Sequence, residues 1–135
     1  MEELELTFSY NGTITRDDTG ELITSSAFAG NSSRPDVNPD HIPGRNNAAY
    51  QMVHNIGPLP FGKYRFGPWH THQGLGPHCA SLTQIDGETY GRSAFYMHGA
   101  SSVDPLNSSE GCVVVAHDPR VLIESLNPTY LNVTE

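Results

Sequence analysis

Basic residues are scarce in this sequence: seven Lys and Arg face fifteen Asp and Glu, for a formal net charge of -8. Phosphate neutralisation needs clustered cations, so neither nucleic acid nor an anionic membrane surface is an expected partner. Cysteine is scarcer still. Cys79 and Cys112 are the only two, too few for a disulfide framework, and a bond between them would consume Cys112 as a nucleophile. No apolar run approaches the length of a membrane-spanning helix. The opening residues MEELELTFSYNG carry no basic n-region and no apolar h-region, so the expectation is synthesis in the cytoplasm without a secretory signal. The hydrophobic share is 36%, beside 13 Gly and 10 Pro. That balance favours turns and short strands over long helices, and 135 residues suit one domain with one core.

The local patterns agree. LELTFSY (Leu4 to Tyr10) alternates apolar and polar residues as a half-buried strand does, and Asn11-Gly12 predicts a two-residue hairpin turn. TITRD and GELITSSAFAG continue the pattern, so residues 1–30 read as a β-meander. NSSRPDVNPDHIPGRNN (Asn31 to Asn47) has almost nothing apolar to bury and reads as a long loop, mobile or functional. AAYQMVHNIG suits a short helical turn or a strand entry. GPLPFGKYRFG is a turn feeding a strand with Tyr64 and Phe66 on one face. CASLTQI, SAFYMHG and CVVVA read as further strands, the last from Cys112 to Ala116. HDPRVLIESL predicts a helix with Asp118 as N-cap and Pro119 in its first position.

FYMHGASSVDPLNSSEGCVVV holds the residues with chemistry. One strand ends at His98 and the next begins at Cys112. If the two are sheet neighbours, the end of one lies near the start of the other, and imidazole and thiol can meet as base and nucleophile. A nearby imidazole accepts the thiol proton and then pairs with the thiolate. Gly111 permits the tight backbone that aims N–H groups at one point, so the amides of Gly111, Cys112 and Val113 are candidate oxyanion donors. Ser109 and Glu110 would line that turn. Read without this pairing, Cys112 is a small buried hydrophobe opening a valine strand.

GRSAFYMHG followed by SSEGCVVV resembles the signature of the L,D-transpeptidases, the YkuD-like enzymes of peptidoglycan. The sequence is most similar to the short branch that serves as type VI secretion effectors, which also shows a GPLPFGKY-like segment. The likeness runs from Tyr50 to Leu126. It implies a mainly β, single-domain YkuD-like β-sandwich or barrel with one or two short helices, in which residues 50–126 form the catalytic core. It also implies Cys112 as nucleophile, His98 as general base, and Ser109 and Gly111 as the Ser-x-Gly-Cys turn. Oxyanion and substrate contacts then fall among Gly111, Val113, Ser109, Gly99, Arg92 and Ser93. Glu110 stands where cell-wall-resident enzymes carry a second His, and Val113 to Val115 replace an Arg that those enzymes carry shortly after the Cys. Arg92 or Arg120 is the substitute cation for a substrate carboxylate. The implied activity removes the terminal D-Ala from tetrapeptide stems, as an L,D-carboxypeptidase, or exchanges it for another D-amino acid. No cofactor is implied. The implied partners are stem peptides, an immunity protein and secretion machinery, and the implied place of action is the periplasm of a target bacterium. A third group is expected to orient His98, and the sequence does not show which; a backbone carbonyl is one candidate. The Asn31–Asn47 loop is expected to gate the site or to dock the immunity protein.

Other readings are open on the residues alone. WHTHQGLGPHC groups His70, His72, His78 and Cys79, and His70 and His72 share a face if they lie on a strand, so metal is one. A papain-like peptidase is disfavoured, because there the Cys precedes the His and starts a helix. A carbohydrate- or peptide-binding β module using Trp69, Tyr64, Tyr90 and Tyr96 as a platform is the third.

Overall fold

The computed structural model describes residues 3–100, 109 and 111–135. Ten strands form one sheet system: β1 (Glu5–Ser9), β2 (Ile14–Arg16), β3 (Leu22–Thr24), β4 (Phe28–Ala29), β5 (Gly62–Phe66), β6 (His70–His72), β7 (Gly76–Gly87), β8 (Phe95–His98), β9 (Val113–Val114) and β10 (Tyr130–Thr134). One helix, α1 (His117–Leu126), and a 3-10 turn at Ala48–Tyr50 complete the described elements.

The strand order is β3-β2-β1-β10-β5-β7-β8-β9-β4, with β6 attached to β7. The two outer strands, β3 and β4, are separated in sequence only by residues 25–27. Laid flat, nine strands about 4.8 Å apart would hold them about 38 Å apart. Three linking residues reach only about 14 Å. The sheet must therefore curl until its edges approach, and the mainly β, barrel-like architecture expected from the sequence follows from that short link. Inside it sit Leu6, Phe8, Ile14, Tyr64, Met97, Val113, Ile123 and Leu131, all with no exposed surface.

Several local expectations change. The first hairpin has a three-residue loop, because Ser9 N bonds Thr13 O at 2.9 Å and Gly12 N bonds Ser9 O at 2.9 Å. Gly12, at φ 100, closes it as the left-handed residue that such loops require. The helix starts one residue before Asp118. Ala116 is its N-cap without a side-chain bond, and Asp118 sits in the first turn as an acidic residue. Pro119 is tolerated there because first-turn amides need no helical partner. At the other end Asn127 turns left-handed at φ 50 and its N–H bonds the carbonyls of Ile123 and Glu124. β10 had no sequence expectation, yet it lies mid-sheet, parallel to β1 and antiparallel to β5.

Candidate active site

β8 and β9 are neighbours, as the Cys-His reading requires, but they run parallel: Met97 lies opposite Val113 and His98 opposite Val114. A parallel pair needs a crossover of about a dozen residues rather than a hairpin, which the segment between His98 and Val113 supplies. Residues 101–108 and Glu110 of that segment lie outside the described set. The expected meeting of strand end with strand start is therefore replaced by a side-by-side arrangement.

Continued one residue back from β9, the same register would bring Cys112 to the face of His98. Opposite residues share a face and faces alternate along a strand. Phe95, Met97, Val113 and Val115 belong to the hydrophobic core, so Tyr96, His98 and Val114 point the other way. Cys112 lies immediately before β9, not within it, and strand alternation extended to it would set it level with Tyr96, on the His98 side. Strand spacing and rise place the two α-carbons about 8 Å apart, a separation that the two side chains can close.

His98 is 3% exposed. Its Nδ1 lies 2.7 Å from the Gly99 carbonyl. A carbonyl only accepts, so Nδ1 carries the hydrogen and Nε2 is left as the basic nitrogen. This main-chain oxygen is the group that orients the ring, a partner that the sequence left undetermined. Burial holds His98 below the usual imidazole range, and the charges of Arg120, His72 and Arg34 act in the same direction against the Gly99 bond. The ring is thus neutral at pH 7, the form a general base needs. Through its carbonyl Gly99 supports the ring. It also lies on Arg120: a Cβ at Gly99 would come within 2.4 Å of Arg120 Nη1. Arg120 is itself buried and donates to the carbonyls of Val115 at 2.7 Å and His78 at 3.1 Å.

Cys112 is a half-buried thiol in no disulfide, and its Sγ lies 3.8 Å from the Ala94 carbonyl. Ala94 is left-handed at φ 60, a costly conformation for a residue with a Cβ. The turn ahead of Cys112 is built on Ser109, which has no exposed surface. Ser109 Oγ accepts from Gly30 N at 2.9 Å and Gly111 N at 3.0 Å, and donates to the Cys112 carbonyl at 2.5 Å. The Gly111 amide is therefore turned to Ser109, and Val113 lies in the ladder opposite Met97.

Arg92 and Ser93 lie apart from each other in role. Arg92, expected as a cation for a substrate carboxylate, is only 5% exposed. Its guanidinium donates to Gln51 O at 2.6 Å, Pro58 O at 2.8 Å and Gly57 O at 2.9 Å. Ser93 lines a cavity of about 230 Å³ together with His54, Asn55, Gly91, Arg92 and Phe95. Its wall includes the two neighbours of Ala94, so it opens on the Ala94 side of Cys112, upstream along β8, whereas His98 lies downstream.

The Asn31–Asn47 loop is anchored at its base. Asn31 and Asn38 are buried. Asn31 Nδ2 donates to Ser109 O and to Asn55 O, both at 2.8 Å, and Asn38 closes the loop on Ile42 O at 2.8 Å and Ile42 N at 2.9 Å. Its root thereby braces the Cys112 turn.

Sequence reading missed the surroundings of His98. Tyr96 faces it by alternation, and the Tyr96 ring meets His72 at 4.9 Å and His70 at 6.4 Å. The period of two in AFYMH was the available signal for Tyr96. Among the described residues no group of three His, Cys, Asp or Glu could hold a metal ion. The aromatic platform is not assembled either: Tyr64 is buried and Trp69 stacks on Phe66 at 5.9 Å.

The fold is that of the L,D-transpeptidases. It is similar to Mycobacterium tuberculosis L,D-transpeptidase 1, with a TM-score of 0.53 and 16% identity over 98% of this chain and 62% of that one. It is similar also to the LD transpeptidase LdtMt1 in complex with imipenem, with a TM-score of 0.51 and 14% identity over 97% of this chain and 58% of that one. At such identities the likeness is one of fold, and the chain spans about three fifths of the length of these solved proteins. No family model and no curated protein matches the sequence. No described helix is long and apolar enough to cross a membrane.

Proposed function

We propose that this chain is a peptidoglycan-modifying cysteine enzyme of the L,D-transpeptidase type. The observation that carries the reading is the pairing of β8 with β9, which sets His98 beside the strand that Cys112 precedes, with Nδ1 of His98 held by the Gly99 carbonyl. His98 Nε2 takes the thiol proton, and the Cys112 thiolate attacks the carbonyl of the third residue of a stem peptide. With the Gly111 amide turned to Ser109 and Val113 in the ladder, the main-chain N–H of Cys112 itself is the oxyanion donor left of the three expected. As the C–N bond breaks, His98 returns the proton to the amine of the departing D-Ala, leaving an acyl-thioester. Water then releases a tripeptide stem, a free D-amino acid restores a tetrapeptide, and a second stem amine gives a crosslink. Trimming and exchange are the outcomes favoured by the resemblance of SSEGCVVV and GRSAFYMHG to the effector branch. On the same resemblance the chain acts as an antibacterial effector in a target periplasm, opposed by an immunity protein.

Incubation with disaccharide-tetrapeptides followed by mass analysis tests this. Loss of one alanine, or its replacement by an added D-amino acid, is expected from the wild type and not from Cys112→Ala. Equal activity of Cys112→Ala and wild type would refute the mechanism.

A further inference from the structure

Arg92 is a buried cation 20 residues before Cys112, and three main-chain carbonyls hold one side of its guanidinium. Three carbonyls of a single segment, those of Gln51, Gly57 and Pro58, take its Nη1 and Nη2 hydrogens at 2.6 to 2.9 Å. That segment is in turn tied to the root of the anchored loop, where Asn31 N bonds Ile56 O at 2.9 Å. On its other side the guanidinium meets the turn that carries Cys112. A Cβ at Gly111 would lie 2.3 Å from Arg92 Nη2 and 3.5 Å from Phe95 Cε1. Gly111 also has φ +131, so it is demanded twice, by the backbone angle and by the guanidinium beneath it. The Phe95 ring centroid lies 5.5 Å from Arg92 Cζ and fixes the remaining face of the planar group.

We propose that Arg92 is the positioning residue of the nucleophile: its guanidinium is the floor on which the Gly111–Cys112 turn rests, and it sets both the place and the thiolate charge of Cys112 without touching substrate. Only a planar fork does both. An ammonium at the same point keeps the charge but cannot hold three carbonyls in fixed directions. The ionised Cys112 thiol and Arg92 favour each other's charge, in support of the electrostatic half. This role rests on Cys112 being the nucleophile, and alkylation of the thiol tests it without any peptidoglycan substrate.

The experiment follows the pH dependence of Cys112 alkylation by iodoacetamide, with the modified cysteine located by peptide mass analysis. It uses the full chain as wild type, Arg92→Met, Arg92→Lys and Gly111→Ala, and D-Ala release from tetrapeptide stems is measured in parallel. Arg92→Met is expected to move the alkylation midpoint up by a unit or more, so that reaction at pH 7 slows about tenfold. Arg92→Lys keeps the midpoint near that of the wild type yet loses about tenfold in D-Ala release, a split that loss of fold alone does not produce. Gly111→Ala lifts the turn from the guanidinium and reproduces the midpoint shift if Arg92→Met does not fold. An unmoved midpoint in both Arg92→Met and Gly111→Ala, or undiminished release by Arg92→Lys, overturns the assignment. If the midpoints shift as stated and the wild type releases no D-Ala from any stem, the role of Arg92 stands and the peptidoglycan reading falls.

Discussion

Replacing Ser109 with alanine removes one oxygen from a site with no exposed surface. That oxygen accepts two amide hydrogens, from Gly30 at 2.9 Å and Gly111 at 3.0 Å, and donates its own to the Cys112 carbonyl at 2.5 Å. No other atom of an alanine can take these places. A buried polar group left without a partner costs about 1–3 kcal/mol. The Gly30 amide is buried and pays in full, whereas water reaches the half-buried Cys112 and offsets part of the loss there. The total is about 3 kcal/mol, a substantial share of the roughly 5–15 kcal/mol that holds a domain together. Equilibrium unfolding in urea measures it: the midpoint should fall by about 1–2 M with an unchanged slope. D-Ala release should fall as well, because Gly30 and Cys112 are no longer tied to one oxygen and the turn loses its register. A midpoint shift below about 0.3 M would mean that Ser109 is not the post on which the turn is built.

The pH dependence of stability follows from His98, whose native state holds it below the ordinary value of 6.5 by burial. The unfolded chain therefore binds the proton more readily. The contribution of His98 to stability is complete above pH 6.5 and is lost as the pH falls through the lower native value. Urea midpoints from pH 7 down to pH 5 should decline less steeply in His98→Gln, and this variant should lose about 10²- to 10⁴-fold in D-Ala release; an equal decline and unchanged release would sink both the burial argument and the role as base. Gly99→Ala drives a methyl group against the Arg120 guanidinium, 2.4 Å from Nη1. It should shift the carbonyl that orients His98 and cost about tenfold in release, with wild-type activity counting against the support. Asn31→Ala frees Ser109 O and Asn55 O, both bonded at 2.8 Å, and should destabilise by about 2–4 kcal/mol in the same unfolding assay. A cost under 1 kcal/mol would show that the loop root does not brace the turn.

The strands and the candidate residues for the site were legible because their signals are local. Alternation in LTFS, the stop at Gly99 and the valine run after Cys112 each depend on neighbouring residues, and period two alone sends Tyr96 and His98 to one face and Met97 to the other. The parallel pairing of β8 with β9 was not legible. It is set by β4, which pairs with β9 on its far side through Phe28 opposite Val114, more than eighty residues away in sequence. β10 escaped for a similar reason: five residues near the C-terminus have no pattern that says they insert between β1 and β5.

The support of the site was the least legible part, and its chemistry explains why. Arg92 reaches carbonyls 34 to 41 residues away, Ser109 reaches the amide of Gly30 at a separation of 79, and His98 leans on the carbonyl of Gly99. In every case one partner is a main-chain group, which all residues share, so no letter in the sequence marks it. A polar side chain in a polar stretch such as GRS then reads as a surface residue, although burial among carbonyls accounts for it equally well. Cys112 and His98 stand out as residue types, whereas the frame around them is written in backbone geometry and appears only when the chain is folded.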